Sequence, residues 1–404
     1  MRLIAILLTF LLPAPVCAVG AEGGVTAIKG GTILPISGKP IKDGVILIEG
    51  GRIANIGTGI KVPEDAAIVD ASGKVVMPGL VDASAVQPVR GSTNEESSEI
   101  TPGLRISTAL DPQSKTLKRT VQTGVTTLYV SPGWWNVIGG LGAVVKPEGR
   151  IPQEMIIKDE AALALVMGYE ASYSNRIPRS SPPVNFYYRR PTTRMATIWM
   201  LRKSLFDAQQ YSELEDANDP NMAIMSAVLE DEIPVRLVVR LGINIRTALS
   251  LADTYDFRLV LDECTEGYKV AEEIAKRKVP VVLGPFYYYP DSYIQRREGR
   301  KVNWNNAGIL ERAGAKVALS SGMQSQSIDL LTSAAFAVRH GMSREGALKA
   351  VTITPAEILG VADRVGALEK GKDADILILS GDPLQVTTKV EQVILNGKTV
   401  HKAN

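Results

Sequence analysis

Four side chains that can do chemistry stand at the ends of short apolar runs. Asp82 ends one such run, and Asp262, Glu263 and Cys264 end another. Carboxylates that meet in a fold bind Mg²⁺, Mn²⁺ or Ca²⁺ through their oxygens, and a thiol beside a general base is a nucleophile. The chain has 404 residues but only two histidines, so any mechanism that needs three or four imidazoles is excluded.

These carboxylates also have a non-catalytic interpretation. Arg240 ends a third apolar run, and its guanidinium is a natural ion-pair partner for Glu263 or Asp82. Because residues of a strand alternate between two faces, we expect that Asp262 and Glu263 do not both face the same cavity. An internal ion pair that fills the cavity is therefore the alternative to a new metal site.

The two histidines do not complete a nucleophilic dyad or triad. His340 stands just before Gly341, a pattern that predicts the end of a helix, and His401 is close to the C-terminus. Cys264 and Ser84 therefore lack an imidazole base in the sequence pattern, and we predict no Cys–His or Ser–His site.

The middle of the chain must position these residues, and there strand-like runs alternate with helical ones. This alternation predicts the α/β class and a (β/α)8 TIM-like barrel over residues 78–366. The loops after barrel strands gather at one mouth, which would bring Asp82, Arg240 and Glu263 together. The strand candidates are 124–130, 236–240, 257–262, 279–285 and 315–320, and the helix candidates are 245–254, 268–276 and 327–339.

Both ends of the chain are rich in short β-like runs separated by glycine turns. Residues 22–77 and 367–404 are therefore predicted to pair in one small sheet, with a hairpin turn at Asn396–Gly397. Segment 169–190 lacks periodicity and is interpreted as an irregular insertion. The run Gly139–Gly142 lacks the Lys and Ser/Thr of a phosphate-binding loop, and we interpret it as a turn.

Residues 1–21 have the pattern of an export signal. An arginine precedes an apolar run from Leu3 to Leu12, which is too short to span a bilayer, and small residues follow. The sequence thus predicts a periplasmic or secreted protein with no membrane span after signal removal. Lys plus Arg number 45 and Asp plus Glu 43, a balance that gives no case for nucleic acid as a partner.

Three motifs carry a resemblance to a known family. Val76–Asp82 resembles the start of barrel strand 1 in the amidohydrolase superfamily, and Thr354–Gly360 and Gly366–Asp375 resemble its closing segments. The similar members are imidazolonepropionase-like and dihydroorotase-like metal-dependent hydrolases. The resemblance implies a barrel flanked by a composite β-sandwich, and hydrolysis of non-peptide carbon–nitrogen bonds with Zn²⁺ or another divalent metal.

The resemblance also implies where metal ligands belong, and this chain departs from the pattern there. Family members carry a His-x-His after strand 1, a histidine on each of strands 5 and 6, and an aspartate after strand 8; some add a lysine, whose best match is Ala164. We therefore predict a degenerate metal centre with no metal cofactor. The corresponding residues are Ser84, Val86, Val238, Arg240, Glu263 and Gly322.

Aromatic residues follow two of the predicted barrel strands. Trp134 and Trp135 come after one strand, and Tyr287 and Tyr288 come after another. Placed at the mouth, they would stack on a sugar ring, a peptide or a partner's side chain. Covering a loop or closing an oligomer interface is an equal alternative.

Three functions follow from these observations. The first is a non-catalytic binding or regulatory subunit, a pseudoenzyme that forms a homo-oligomer or pairs with an intact amidohydrolase relative. The second is a hydrolase of carbon–nitrogen bonds with an atypical site around Asp82, Glu263 and Arg240. The third is a periplasmic sugar- or peptide-binding protein that uses the aromatic mouth.

Overall fold

The computed structural model describes residues 24–85, 88–95, 97–173, 190–211, 218–284, 302–322 and 329–403. The predicted export signal lies outside the described residues, as do Val86, Tyr287 and Tyr288 and residues 174–189 of the predicted insertion. The described strands form two eight-stranded sheets. The predictions of an α/β fold, a barrel and a second β domain are confirmed.

The first sheet joins both ends of the chain. β14 (Ile376–Leu379) pairs antiparallel with β5 (Val75–Pro78), which brings the closing segment of the chain against the opening one. An apolar cluster that includes Ile28, Ile46 and Ile376 is buried on this sheet. The strands are β1 (Thr26–Ile33), β2 (Ile41–Glu49), β3 (Arg52–Gly57), β4 (Ala67–Asp70), β5 (Val75–Pro78), β14 (Ile376–Leu379), β15 (Val390–Leu395) and β16 (Lys398–Lys402).

The second sheet is the barrel, and its strands follow each other in chain order. They are β6 (Leu80–Ala85), β7 (Val125–Val130), β8 (Ile138–Val145), β9 (Ile156–Val166), β10 (Val235–Val239), β11 (Leu259–Glu263), β12 (Val281–Leu283) and β13 (Val317–Leu319). The backbone N–H of Gly322, just after β13, donates to the carbonyl of Ser84 in β6 over 3.0 Å. This bond links the last barrel strand to the first, so the sheet nearly closes.

The third barrel strand departs from the (β/α)8 pattern. β8 pairs antiparallel with both β7 and β9, whereas the other barrel pairs are parallel. The expectation of a turn at Gly139–Gly142 was wrong, because these residues lie within β8 and are buried. A β-carbon on Gly140 would lie 2.4 Å from the carbonyl oxygen of Leu104, and one on Gly142 would lie 2.2 Å from the Tyr129 hydroxyl. Glycine here permits close approach inside a strand rather than a turn.

The described chain between β6 and β14 also contains helices. They are α1 (Lys115–Gln122), α2 (Pro152–Met155), α3 (Glu170–Tyr173), α4 (Arg194–Tyr211), α5 (Pro220–Leu229), α6 (Gly242–Tyr255), α7 (Ala271–Lys276), α8 (Asn306–Arg312), α9 (Leu330–Arg339), α10 (Arg344–Lys349) and α11 (Ile353–Leu359). His340 caps the end of α9 before Gly341, as predicted. Among the described helices, none is both long and apolar enough to cross a membrane.

Candidate functional site

Two arginines, one near the start of β10 and one just beyond its end, hold the buried charges at the centre of the barrel. Arg236 lies in β10 and is buried. Its Nε donates to Asp262 Oδ2 over 2.9 Å and its Nη2 to Asp262 Oδ1 over 2.5 Å, while Nη1 donates to the carbonyl of Ala83 over 2.6 Å. The guanidinium also lies over the ring of Tyr129, 4.0 Å from its centroid. The side chain thus ties β6, β7, β10 and β11 together inside the barrel.

The second arginine, Arg240, holds two carboxylates. Its Nε lies 2.6 Å from Glu263 Oε2, and its Nη1 lies 2.7 Å from Glu170 Oε2. The guanidinium carbon is 5.4 Å from the ring centroid of Trp134, within the range of a cation–π contact. Arg240 is 0% exposed. A permanently charged group is therefore fixed among two carboxylates and an indole.

The ion pair between Arg240 and Glu263 was one of two that the sequence predicted, and the expectation that Asp262 and Glu263 do not face the same cavity stays a prediction. Asp262 binds Arg236 and Glu263 binds Arg240, so both carboxylates reach arginines four residues apart on the neighbouring segment. Glu263 has a φ of 66° and Cys264 a φ of 37°, both in the left-handed region. The regular alternation of side chains therefore stops at Glu263, and both carboxylates can turn toward the arginines.

Asp82 lies at the seam of the barrel, where β6 meets the segment after β13, rather than in an ion pair with Arg240. Its Oδ1 accepts the backbone N–H of Ser84 over 3.2 Å and that of Ser321 over 3.0 Å. Burial raises the pKa of Asp82 to about 6, although these two hydrogen bonds and the charge of Arg236 act in the opposite direction. The Asp82 carboxyl bridges β6 and the segment after β13 through these hydrogen bonds, and its pKa lies close to neutral pH.

Cys264 has the environment of a structural thiol. It is fully buried, and burial with the nearby charge of Asp262 raises the pKa of its thiol. A reactive cysteine needs a lowered pKa and partial exposure. The absence of a Cys–His nucleophile stays a prediction.

Among the described residues, the donor set does not fit the divalent metal that the family resemblance implies. Among the residues at the implied ligand positions, Ser84 lies in β6, Val238 in β10 and Glu263 at the end of β11, and Glu263 is engaged by Arg240. A guanidinium carries five donors and no acceptor, so Arg240 repels a cation at this position. Within the described ranges, no group of three or more His, Cys, Asp or Glu residues is arranged to hold a metal ion.

The other predicted site residues lie as follows. Trp134 is buried against Arg240, and Trp135 beside it is half-buried. Ala164, at the position matched to the family's lysine, is paired in register with Arg236. Contact of Trp134 and Trp135 with a ligand stays a prediction, as does that of Tyr287 and Tyr288 outside the described residues.

Sequence reasoning missed three charged residues that the structure makes central. Arg236 and Glu170 complete the two ion-pair groups inside the barrel, and Lys146 forms a third group where the barrel meets the first sheet. Lys146 Nζ lies 2.8 Å from Asp373 and 3.0 Å from Asp375, and it also donates to Asn396. Lysine at the end of an otherwise apolar run was the one signal for it, because such a charge needs a buried partner.

Comparisons with known proteins identify the family to which this architecture belongs. The sequence profile of the Amidohydrolase family matches residues 234–400. The crystal structure of an amidohydrolase from Thermotoga maritima MSB8 superposes with a TM-score of 0.84 and 30% sequence identity, covering 94% of this chain and 100% of that one. The chain belongs to the amidohydrolase family.

Two curated relatives add narrower likenesses. Amidohydrolase tasK of Hapsidospora irregularis is 25% identical over an alignment of 400 residues, and the match covers 88% of this chain. This chain spans only 39% of the length of tasK. Imidazolonepropionase of Thermoplasma acidophilum is 45% identical over 53 residues, 13% of each chain. These matches agree with the family resemblance and leave the specific activity open.

Proposed function

We propose that this chain is an amidohydrolase-family protein without the family's metal centre, and that it acts as a non-catalytic binding or regulatory subunit. The observation that carries the proposal is the buried Arg240 guanidinium, held 2.6 Å from Glu263 and 2.7 Å from Glu170. A metal ion at this point would have to displace a fixed positive charge and leave it buried, at a cost of several kcal/mol.

The arrangement of Arg236 with Asp262 supports the same proposal. The two side chains form a buried, bidentate ion pair, so their charges neutralise each other. The pair also fills space in the barrel interior. Acid–base catalysis needs a group that is free to exchange a proton with substrate. Neither member of this pair offers one while the pair is intact.

Elemental analysis of the full chain, purified without added chelator, tests the proposal directly. We expect less than one tenth of an equivalent of zinc, iron or manganese, with an amidohydrolase that carries the complete histidine set purified in parallel as the positive control. About one equivalent of any of these metals, together with a hydrolytic turnover that is lost on chelation and regained on adding the metal, would reject the proposal.

The regulatory role predicts a partner, which we propose is an intact amidohydrolase relative or a second copy of this chain. Affinity purification of the tagged chain from its native source, followed by mass spectrometry, tests for the relative. Recovery of an intact barrel protein at near-equal stoichiometry supports the role. A chain recovered alone, and monomeric at every concentration, contradicts both kinds of partner.

One observation favours a second candidate, a hydrolase with an atypical site. A carboxyl whose pKa lies near 6 is suited to general acid–base catalysis close to neutral pH, and Asp82 is such a group. A screen of amide, ureide and cyclic-imide substrates would reveal turnover that D82N abolishes and that chelators do not affect. Turnover that is equal in wild type and D82N would exclude Asp82 as the catalytic group.

A further inference from the structure

Helix α4 carries apolar side chains on two opposite faces. One face packs into the core through residues that include Leu201 and Leu205. The other face presents Met195, Trp199 and Phe206, which are 78%, 61% and 54% exposed. A surface helix normally keeps its outer face polar. An exposed cluster of large apolar residues therefore marks an interaction surface.

A neighbouring helix extends the surface. Ile243, in the first turn of α6, is 59% exposed. Arg194 Nε donates to Asn244 Oδ1 over 2.6 Å, which fixes the start of α4 against the start of α6. Taking ~200 Å² for a large side chain, the four apolar residues offer roughly 500 Å² per copy, a substantial part of the ~800 Å² that each partner gives to a stable interface.

The order of residues along α4 is symmetric. At 100° per residue, Met195, Trp199, Arg202 and Phe206 form one narrow stripe, and Arg202 is exposed within it. Met195 and Phe206 are equally distant from the midpoint between residues 200 and 201, and so are Trp199 and Arg202. When a second α4 packs antiparallel about this midpoint, Met195 meets Phe206 of the other copy and Trp199 meets Arg202.

We propose that this stripe is the two-fold interface of a homodimer. The symmetric order makes the stripe complementary to itself, as an isologous interface requires. It places two copies of the Arg202 guanidinium against two indoles of Trp199, a cation–π match between copies. Lys203 does not disturb this match, because it lies 2.5 Å from Asp207 of its own helix. Tryptophan and arginine are also the residues that most often dominate interface energies.

Cysteine pairs test the predicted register, in a background where Cys17 is replaced by serine and Cys264 stays buried. The double variant Met195→Cys/Phe206→Cys should form an intermolecular disulfide under mild oxidation. The single variant Met195→Cys is the matched control, because in this register the two copies of residue 195 lie about 16 Å apart along the helix axis, beyond disulfide reach. Equal cross-linking of both variants, or of neither, overturns the proposed register.

Charge variants test the contact itself through the mass measured by light scattering over a concentration series. Wild type should be dimeric, and Trp199→Arg should weaken dimerisation at least about tenfold because it sets like charges opposite each other. Trp199→Glu, which faces Arg202 of the other copy, should stay closer to wild type. Trp304→Arg, at another exposed tryptophan, is the control and should not change the mass.

Two results would overturn the homodimer. One is a wild-type chain that is monomeric at all concentrations. The other is a monomer that sediments with vesicles containing anionic lipid and stops doing so in Trp199→Glu, since a basic amphipathic helix face also fits a membrane surface.

Discussion

Arg236 and Asp262 form a bidentate ion pair inside the barrel, with N–O distances of 2.9 and 2.5 Å, and both side chains are buried. The pair joins two neighbouring parallel strands through their side chains as well as through their backbone. Ala83 accepts a further hydrogen bond from the same guanidinium, so the first barrel strand depends on it too. These contacts give the barrel a charged core in place of a purely apolar one.

Breaking this pair from one side should be costly. Asp262→Ala leaves the Arg236 guanidinium buried without its carboxylate, and we expect a loss of about 3–5 kcal/mol in the free energy of unfolding. The double variant Arg236→Met/Asp262→Leu should recover much of that loss, because it removes both charges. Urea denaturation of the two variants measures the difference.

An exposed pair supplies the matched control. Arg277 and Asp253 lie 2.9 Å apart on the surface, so Asp253→Ala should cost less than about 1 kcal/mol. Equal losses for Asp262→Ala and Asp253→Ala would show that the buried pair does not support the barrel.

Asp82 should make stability depend on pH between about 4 and 6. Its pKa is raised from 3.8 to about 6, so the folded chain binds this proton more tightly than the unfolded chain. The resulting stabilisation is complete below pH ~4 and is lost as the pH rises through ~6, an effect on the order of 2–3 kcal/mol. D82N keeps an oxygen acceptor for Ser84 and Ser321 and cannot ionise.

Denaturation of wild type and D82N at pH 4, 5, 6 and 7 checks the sign. Relative to wild type, D82N should become more stable as the pH rises. Curves that stay parallel would mean that Asp82 ionises as easily in the folded chain as in the unfolded one, and curves that diverge in the other direction would mean that it ionises more easily in the folded chain.

Lys146 should couple the barrel to the first sheet. Its ammonium lies within 3.0 Å of Asp373 and Asp375, and all three side chains are buried. Lys146→Met leaves two buried carboxylates facing each other, although Arg364 still binds Asp373 at 2.8 Å. We expect a loss of about 3–5 kcal/mol, and separate unfolding transitions for the barrel and the sheet by calorimetry.

The surface lysine Lys74, which lies 2.6 Å from Glu391, is the control for that experiment. Lys74→Met should lower the free energy of unfolding by less than about 1 kcal/mol. A single, unshifted transition in Lys146→Met would contradict the coupling.

Gly142 should not tolerate a methyl group. A β-carbon there would lie 2.2 Å from the Tyr129 hydroxyl, so Gly142→Ala should destabilise the chain by about 1–3 kcal/mol through overpacking. Tyr129→Leu in the same chain should relieve part of the clash. Gly38→Ala, whose nearest contact is Pro35 at 3.8 Å, is the control and should be nearly neutral by thermal denaturation.

Several features of this protein were determined by local sequence pattern. Alternating apolar runs and helical periods specify a barrel, and glycine-punctuated β runs at both ends specify the second sheet, because the burial of one face imposes its period on the residues. The scarcity of histidine needs no structure at all. The end of α9 at His340 was likewise visible, since a following glycine stops a helix locally.

Tertiary structure alone decided the direction of β8 and the partners of the buried charges. A strand's own residues do not encode whether its neighbours run parallel. By sequence Gly139–Gly142 resembled a turn, although these residues lie within β8. Arg240 had two possible partners by sequence, and in the structure it pairs with Glu263, whose backbone is left-handed, and also with Glu170 from α3. Lys146 finds Asp373 across 227 residues of chain. Partners so distant are chosen by packing in three dimensions, which no local pattern records.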